Sequence, residues 1–139
     1  MSIRYLLDTN VISEPLKTRP NKYLLKMLQQ HQHEIATAAP VWHELQFGCW
    51  RLPVSKKREM LHFFLSNVVK AGISILPYDE TAASWHAAER ARLSNAGKTP
   101  SFVDGQIAAI AHVNALILVT RNTSDFTSFS ELKVQNWHR

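Results

Sequence analysis

The stretch Tyr-Leu-Leu-Asp-Thr-Asn at residues 5–10 constrains this chain most, because three apolar residues run directly into an acid, a hydroxyl and an amide. We interpret residues 3–7 as a short buried strand and residues 11–13 as the first turn of a helix. Asp8 then lies where the strand ends and the helix begins. A carboxylate there can cap the helix. It can also be a ligand, because sites in parallel sheets lie beyond the carboxyl ends of the strands. Position alone leaves both interpretations open.

Short apolar segments alternate with helical patterns along the rest of the chain. Further strands are predicted at residues 34–38, 73–76, 116–119 and 134–136, with helices at 22–32, 40–52, 55–69, 79–95 and 101–114. This alternation is typical of an α/β protein with a parallel sheet covered on both faces. We therefore predict a single domain over residues 1–139, with a short central parallel sheet of four to five strands flanked by helices on both faces.

The charge balance favours a polyanionic or acidic partner. The chain has 16 Lys and Arg against 11 Asp and Glu, a net charge of +5, and phosphate binding is driven by summed charge. Any single basic run is ordinarily a solvated helix face, so this prediction depends on the overall excess. The basic residues gather in three groups, at Lys17, Arg19, Lys22 and Lys26, at Arg51, Lys56, Lys57 and Arg58, and at Arg90, Arg92 and Lys98.

Two further features predict a cytoplasmic protein without a membrane segment. The single cysteine, Cys49, leaves no internal disulfide framework and is typical of a reducing compartment. We interpret it as a core residue. The most apolar later run, at residues 107–119, is interrupted by His112 and Asn114, so it is not a transmembrane helix.

Four acids lie at one edge of the predicted sheet, either just after a strand or early in the helix that follows one. Asp8 ends the first strand, and Glu44 lies in the helix after the second. Asp104 lies in the first turn of the helix after the long crossover, and Asp125 lies in the loop after the fourth strand. Every loop that leaves the carboxyl end of a parallel strand opens on the same edge. The topology can therefore bring all four carboxylates to one rim.

Each acid also has an ordinary structural explanation. Ser101 and Asp104 match a capping box, although the spacing of Asp104 places it on the apolar stripe of its helix, where an unpaired charge is costly. Glu44 can be a surface acid at the border of its helix, and Asp125 can be a turn residue. Asp79 also follows a strand, but its position is so typical of an N-cap that we leave it out of the candidate site.

A cluster of carboxylates is unfavourable unless it is protonated or bridged by cations. Two unit charges about 4 Å apart repel by roughly 4 kcal/mol at an effective dielectric constant of 20. Hard oxygen ligands without clustered Cys or His favour Mg²⁺ or Mn²⁺. Such ions can activate a water molecule and stabilise the attacking and leaving oxygens of a phosphodiester. A basic protein with an acidic metal site is therefore coherent as a nuclease.

Other chemistries fit the sequence poorly. His43 and Glu44 begin like the helix of a zinc protease, but Phe47 stands where the second histidine is required. The chain has no G-x-S-x-G, G-x-G-x-x-G or Walker loop. Asp8 and Asn10 are similar to the D-x-D pair of aspartyl-phosphate phosphatases, but Asn10 replaces the acid that serves there as the proton donor.

Five motifs, in order, carry a resemblance to a known family. They are LLDTNVISE at residues 6–14, E-L-x-x-G at 44–48, ILPYD at 75–79, D-x-x-I-A-A at 104–109 and V-T-R-N-x-x-D-F at 119–126. This ordered set covers nearly the whole chain. It resembles the PIN-domain ribonucleases, specifically the VapC/FitB-like toxins of bacterial type II toxin–antitoxin modules.

The resemblance implies an Mg²⁺- or Mn²⁺-dependent endoribonuclease that cleaves RNA, forms a homodimer and is inhibited by a cognate antitoxin that itself binds DNA. It assigns catalysis and metal binding to four acids, Asp8, Glu44, Asp104 and Asp125. Within that set, Glu44 either binds the metal or orients the attacking water, and Asp125 often acts through water. Four further residues are implied as supporting hydrogen-bond partners, Thr9, Asn10, Thr120 and Asn122.

The sequence departs from the family pattern at two places, and two alternative functions stay open. Trp42 and His43 precede Glu44 where small residues are more usual, and Gly105 follows Asp104 in place of the common alanine. Neither departure removes a ligand, and we interpret His43 as a surface histidine. One alternative function is a PIN-like module that binds RNA or a partner without cutting. The other is an aspartyl-phosphate enzyme that acts through Asp8.

Overall fold

A computed structural model describes residues 2–139. Its five strands are β1 (Tyr5–Leu7), β2 (Ile35–Ala38), β3 (Ser74–Leu76), β4 (Ile117–Val119) and β5 (Val134–Gln135). They form one sheet in the order β3-β2-β1-β4-β5, and every neighbouring pair is parallel. The predicted parallel α/β sheet is confirmed, and each strand lies within its predicted segment.

Seven α-helices surround the sheet. They are α1 (Thr9–Ile12), α2 (Lys22–Gln30), α3 (Ala39–Trp50), α4 (Lys56–Phe64), α5 (Lys70–Gly72), α6 (Glu80–Asn95) and α7 (Phe102–Val113). A π-helical segment, Leu65–Val69, joins α4 to α5. The helix predicted at 55–69 therefore continues to Gly72. Two 3₁₀ turns, Glu14–Leu16 and Thr123–Asp125, complete the regular structure.

Side-chain caps explain where several helices begin. Asn21, Ser55, Asp79 and Ser101 each accept a hydrogen bond from the backbone amide three residues later, as N-cap residues do. The interpretation of Asp79 as a cap is thus confirmed. Gly97 lies just beyond the end of α6 with φ at +72°, a conformation that only glycine adopts without strain.

The core lies on both faces of the sheet. All three residues of β1 are buried, and successive side chains of a strand point to opposite faces, so both faces of this central strand are covered. Cys49 is fully buried, which confirms its interpretation as a core residue. Among residues 2–139, no helix is both long and apolar enough to cross a membrane.

The strand order creates a crevice beside β1. The chain places β2 and then β3 on one side of β1, crosses back, and places β4 and β5 on the other side. The loops after β1 and β4 therefore diverge from adjacent strands, which is the topological switch point where α/β proteins bind ligands. Leu7 pairs with Val119, so Asp8 and Thr120 leave the sheet side by side.

Candidate active site

Asp8 caps α1 and lies beside the crevice, so its interpretation as a helix cap is confirmed, whereas its interpretation as a ligand stays a prediction. Its Oδ1 accepts a hydrogen bond from the Thr9 amide at 2.8 Å. Its Oδ2 accepts one from the Thr120 hydroxyl, also at 2.8 Å. The Asp8 amide donates to the Val119 carbonyl at 3.0 Å. The side chain is thus held from both neighbouring strand ends, and it is only 7% exposed.

Thr120 connects the loops after β1 and β4. Its hydroxyl, fully buried, donates to Asp8 and accepts from the Asn122 amide at 3.1 Å. Asn10 reaches the same hydroxyl through Nδ2 at 3.4 Å, and its Oδ1 accepts from the Arg121 amide at 3.0 Å. Asn10 and Thr120 therefore support Asp8 with their side chains, whereas Thr9 and Asn122 contribute backbone amides.

Asp104 lies in the first turn of α7, where the sequence predicted it. The Ser101 hydroxyl accepts a hydrogen bond from the Asp104 amide at 3.1 Å, which is half of the predicted capping box. The Asp104 side chain lies at the border of the helix and is partly buried. Three residues further along, Ile107 is buried against the core. The apolar stripe thus begins beneath Asp104 and leaves its carboxylate at the edge.

The charges of Asp8, Asp104 and Asp125 act on one another. Burial raises the pKa of Asp8, the hydrogen bonds from Thr120 and Thr9 oppose that rise, and the charge of Asp125 adds to it. Burial also raises the pKa of Asp104, and the charges of Asp125 and Asp8 raise it further. Asp125 itself is exposed in its 3₁₀ turn. These three carboxylates therefore share one electrostatic field at the carboxyl edge of the sheet.

Glu44 stands apart from this group. Its side chain is 47% exposed and lines a separate cavity of about 320 Å³ with Tyr78, Val103 and Gln106. Val103 and Gln106 flank Asp104 on α7, so Glu44 faces the helix that carries Asp104. The charges that raise the pKa of Asp104 are those of Asp125 and Asp8. His43 is 75% exposed beside Glu44, which confirms its interpretation as a surface histidine.

Comparison with known proteins identifies the family. The PIN domain family matches residues 5–132. The chain belongs to the PIN domain family.

Two curated relatives and one solved structure place this PIN domain near the VapC/FitB-like toxins. It is 35% identical to Toxin FitB of Neisseria gonorrhoeae over 136 residues, 96% of this chain and 98% of FitB. It is 33% identical to VapC ribonuclease Y4jK of Sinorhizobium fredii over 124 residues, 87% and 89% of the two chains. A structure of FitAB bound to an IR36 DNA fragment superposes with a TM-score of 0.89, at 33% identity, covering 97% and 96% of the two chains.

The side chains at this edge fit a hard divalent cation. Within residues 2–139, no three His, Cys, Asp or Glu side chains lie close enough together to enclose one ion. Mg²⁺ usually takes only one or two carboxylates and keeps several waters. Asp8 and Asp104 supply carboxylate oxygens whose negative charge repels that of Asp125. This donor set suits Mg²⁺ or Mn²⁺ better than softer metals.

The structure explains the glycine that departs from the family pattern. A Cβ at Gly105 would overlap Nε2 of His86, which is buried on α6. The other ring nitrogen of His86 lies 2.7 Å from the Tyr78 hydroxyl. Burial, and then the charge of Arg90, lower the pKa of His86, so its ring is neutral. The bulky histidine thus occupies the space that an alanine methyl at position 105 would need.

Sequence reasoning missed this contact because His86 lies within a helix whose pattern gave no functional signal. The one available sign was Gly105 itself, which is a glycine inside a predicted helix and directly follows a candidate ligand. Such a glycine indicates either flexibility or close packing, and here the reason is close packing. The contact sets how near α7, and with it Asp104, approaches α6.

Proposed function

We propose that this PIN domain is an Mg²⁺- or Mn²⁺-dependent endoribonuclease and the toxin of a type II toxin–antitoxin pair. One observation carries the proposal: at the switch point of the sheet, burial and then the charge of Asp125 raise the pKa of Asp8, burial and then the charges of Asp125 and Asp8 raise the pKa of Asp104, and within residues 2–139 no cation forms a salt bridge with any of the three. A site that holds repelling carboxylates in place is suited to a bound cation. The relatives named ribonuclease and toxin support the same reaction class.

The proposed roles follow from where each side chain lies. Asp8 and Asp104 would hold the metal directly, and the exposed Asp125 would act through water. Glu44, on the neighbouring helix, orients the attacking water. A bound divalent cation supplies charge stabilisation at the phosphodiester and lowers the pKa of a water molecule. Thr120 keeps the Asp8 carboxylate fixed in orientation through its hydrogen bond.

RNA is the proposed substrate because the chain is basic around an acidic site. The net charge of +5 favours a phosphate backbone, while carboxylates alone would repel it. The basic surface therefore holds the RNA strand. The acidic edge, which is formed by Asp8, Asp104 and Asp125, would cleave that RNA only with a metal bound. The cytoplasm, predicted from the single cysteine, is the compartment that this proposal requires.

The proposed partners are a cognate antitoxin that binds DNA and a second copy of this chain. A solved relative at 33% identity is FitAB bound to a DNA fragment, which supports a DNA-binding partner. The homodimer rests on the resemblance to the VapC/FitB-like toxins. Co-expression with the neighbouring open reading frame, followed by light scattering of the purified complex, would test both partners.

Cleavage of total cellular RNA by the purified chain tests the proposal. We expect discrete fragments with Mg²⁺ or Mn²⁺ and none with EDTA. Asp8→Asn and Asp104→Asn should each lower the rate by about a hundredfold or more, since each removes charge that stabilises the reacting centre. The matched control is Asp79→Asn, because Asp79 also follows a strand but only caps α6, and asparagine keeps that cap.

Three outcomes would contradict the proposal. Full activity in Asp8→Asn or Asp104→Asn would remove these residues from the metal site. Absence of cleavage by folded, antitoxin-free protein with either metal would favour a module that binds RNA or a partner without cutting. A covalent phosphate on Asp8, detected by mass spectrometry, would favour an aspartyl-phosphate enzyme.

A further inference from the structure

A second polar cavity lies beside the acidic edge. It has a volume of about 390 Å³. Four cationic side chains and two further titratable ones line it, Lys17, Arg19, Arg121, Arg139, Glu14 and His138. We call it the basic cavity. Its cations come from three separate parts of the chain, so no single basic run of the sequence indicates it.

The basic cavity has one acidic side chain, Glu14, and its carboxylate already has partners within the chain. Glu14 is only 3% exposed, and its carboxylate accepts hydrogen bonds from the Asn21 amide at 2.8 Å and from Lys17 Nζ at 3.0 Å. His138 Nε2 lies 3.1 Å from the same carboxylate. Glu14 therefore neutralises Lys17 and orders the wall of the cavity, but it leaves the other cations uncompensated.

Arg19 and Arg121 are the uncompensated cations. Both are exposed, and within residues 2–139 neither guanidinium forms a salt bridge or a hydrogen bond. Arg139 also lines the basic cavity, and its guanidinium lies 4.5 Å from the centre of the Tyr23 ring. Guanidinium groups gathered around a polar cavity repel one another and match the oxygens of a phosphate.

The basic cavity is joined to the acidic edge by a short chain of hydrogen bonds. The Arg121 amide donates to Asn10, Asn10 contacts the Thr120 hydroxyl, and that hydroxyl donates to Asp8. Arg121 directly follows Thr120, so its backbone is fixed by the group that holds the candidate metal ligand. Arg121, which lines the basic cavity, therefore directly adjoins the group that holds Asp8.

We propose that the basic cavity binds a phosphate of the RNA strand on one side of the phosphate that is cut. This inference deepens the proposed function and rests on it for the identity of the substrate. The contact is to the backbone, so it adds affinity and sets the path of the strand without reading bases. RNA is favoured over an acidic protein segment because the cavity adjoins the site where the phosphodiester is proposed to react.

The test measures binding without cleavage. A short fluorescein-labelled single-stranded RNA of mixed sequence is titrated with the purified full chain in EDTA, and anisotropy is followed at several salt concentrations. We expect Arg121→Gln and Arg19→Gln each to weaken binding roughly three- to tenfold at low salt. Each should also reduce the slope of log affinity against log salt by about 0.7, the value for one phosphate contact on a single strand.

The matched controls are Lys70→Gln and Lys133→Gln, which remove the same charge from exposed positions outside the basic cavity and outside the three basic groups of the sequence. They should leave the slope unchanged. Circular dichroism checks that every variant folds, and homopolymer probes should be weakened equally because the contact carries no sequence information.

Each result distinguishes the basic cavity from the cleavage chemistry. A reduced slope in the arginine variants supports the phosphate site even if the wild-type chain cuts nothing. An unchanged slope in both arginine variants overturns the site even if the chain is an active nuclease. Equal loss in the lysine controls, or no binding of RNA by the wild-type chain, overturns it as well. Loss of affinity for a partner protein with an unchanged RNA slope would assign the cavity to an acidic protein segment instead.

Discussion

Asp8 and Glu14 are two buried carboxylates on either side of α1, and their pKa values move in opposite directions. Burial raises the pKa of Asp8 against the hydrogen bonds from Thr120 and Thr9, and the nearby charge of Asp125 adds to the rise. The Asn21 amide and then Lys17 lower the pKa of Glu14 to about 2, with a further contribution from His138. Their exposures, 7% and 3%, are nearly the same.

The difference shows that burial of an acid does not by itself indicate function. Glu14 is neutralised by groups of its own chain, so its charge contributes to folding. Within residues 2–139 Asp8 forms no salt bridge, and the charge that shifts its pKa is that of another carboxylate, Asp125. The feature that predicts a functional role for Asp8 is therefore the absence of a cation that neutralises its carboxylate. A bound metal can supply that positive charge. Substitutions that remove each charge in turn test this distinction.

The largest effect is expected when the compensated acid is lost. Glu14→Gln should lower the free energy of unfolding by about 3 kcal/mol, because Lys17 and His138 lose the carboxylate that they contact. Asp8→Asn should instead leave it unchanged or raise it, because the amide removes a buried charge and its repulsion from Asp125. Urea unfolding in EDTA at neutral pH measures both.

An exposed acid, Glu59, provides the control for charge alone, since Glu59→Gln should change the free energy of unfolding by less than about 0.5 kcal/mol. Equal destabilisation by Asp8→Asn and Glu14→Gln would show that both carboxylates stabilise the fold, and it would contradict the distinction between them.

A smaller effect is expected when Asp104 is displaced without a change of charge. Gly105→Ala should cost about 2 kcal/mol of stability, because its methyl would overlap the buried ring of His86 and the two helices would have to separate. The shift should also lower RNA cleavage by moving Asp104. Thermal unfolding and the cleavage assay measure the two consequences.

Gly48→Ala is the matched control, because Gly48 is also helical and open space surrounds the position of its added Cβ. That variant should be more stable than wild type by up to about 1 kcal/mol. A Gly105→Ala protein as stable and as active as Gly48→Ala would contradict the close packing of α6 and α7.

The two acids should also differ in the pH dependence of stability. The folded pKa of Glu14, about 2, lies below its ordinary value of 4.5. Its contribution is therefore fully present above pH 4.5 and is lost as the pH falls towards 2. The folded pKa of Asp8 is raised above its ordinary 3.8, so its contribution is present below pH 3.8 and lost as the pH rises through the raised value.

Urea unfolding across this range should separate the two acids. The free energy of unfolding of Glu14→Gln should lie below that of wild type at pH 4.5, and this difference should shrink as the pH falls towards 2. Any advantage of Asp8→Asn should be absent below pH 3.8, grow as the pH rises, and be complete above the raised pKa of Asp8. If the unfolding free energies of the two variants, relative to wild type, changed with pH in the same direction, the pKa values of Asp8 and Glu14 would not be shifted in opposite directions.

Most of the fold was predictable because local pattern and topology agree. The buried strand at residues 5–7 and its neighbours read as short apolar runs, and caps such as Ser55 and Asp79 mark the helix starts. The extension of the fourth helix past Val69 was not predicted, because a π-helical segment carries no distinctive pattern. Strand ends shifted by only one or two residues.

The candidate site was predictable where it depends on strand ends and on the first turn of α7. Asp8 and Asp125 follow adjacent parallel strands, and topology alone brings such residues together. Glu44 was predicted at the same rim, but its position depends on how α3 packs beside α7, which spacing does not determine. Gly105 with His86, and Arg19 with Arg121, are tertiary pairs between distant segments. The roles of Asp8, Glu44, Asp104 and Asp125 in metal binding and catalysis stay predictions.

The Thr120–Asp8 hydrogen bond joins residues 112 positions apart, and this has a consequence for the synthesis of the protein. Asp8 leaves the ribosome early, whereas β4 and Thr120 follow only after more than a hundred further residues have been translated. A growing chain thus carries the first acid without the strand that orients it. An enzyme proposed to cut RNA therefore lacks an oriented Asp8 beside the transfer and ribosomal RNA that produce it until β4 and Thr120 have been translated.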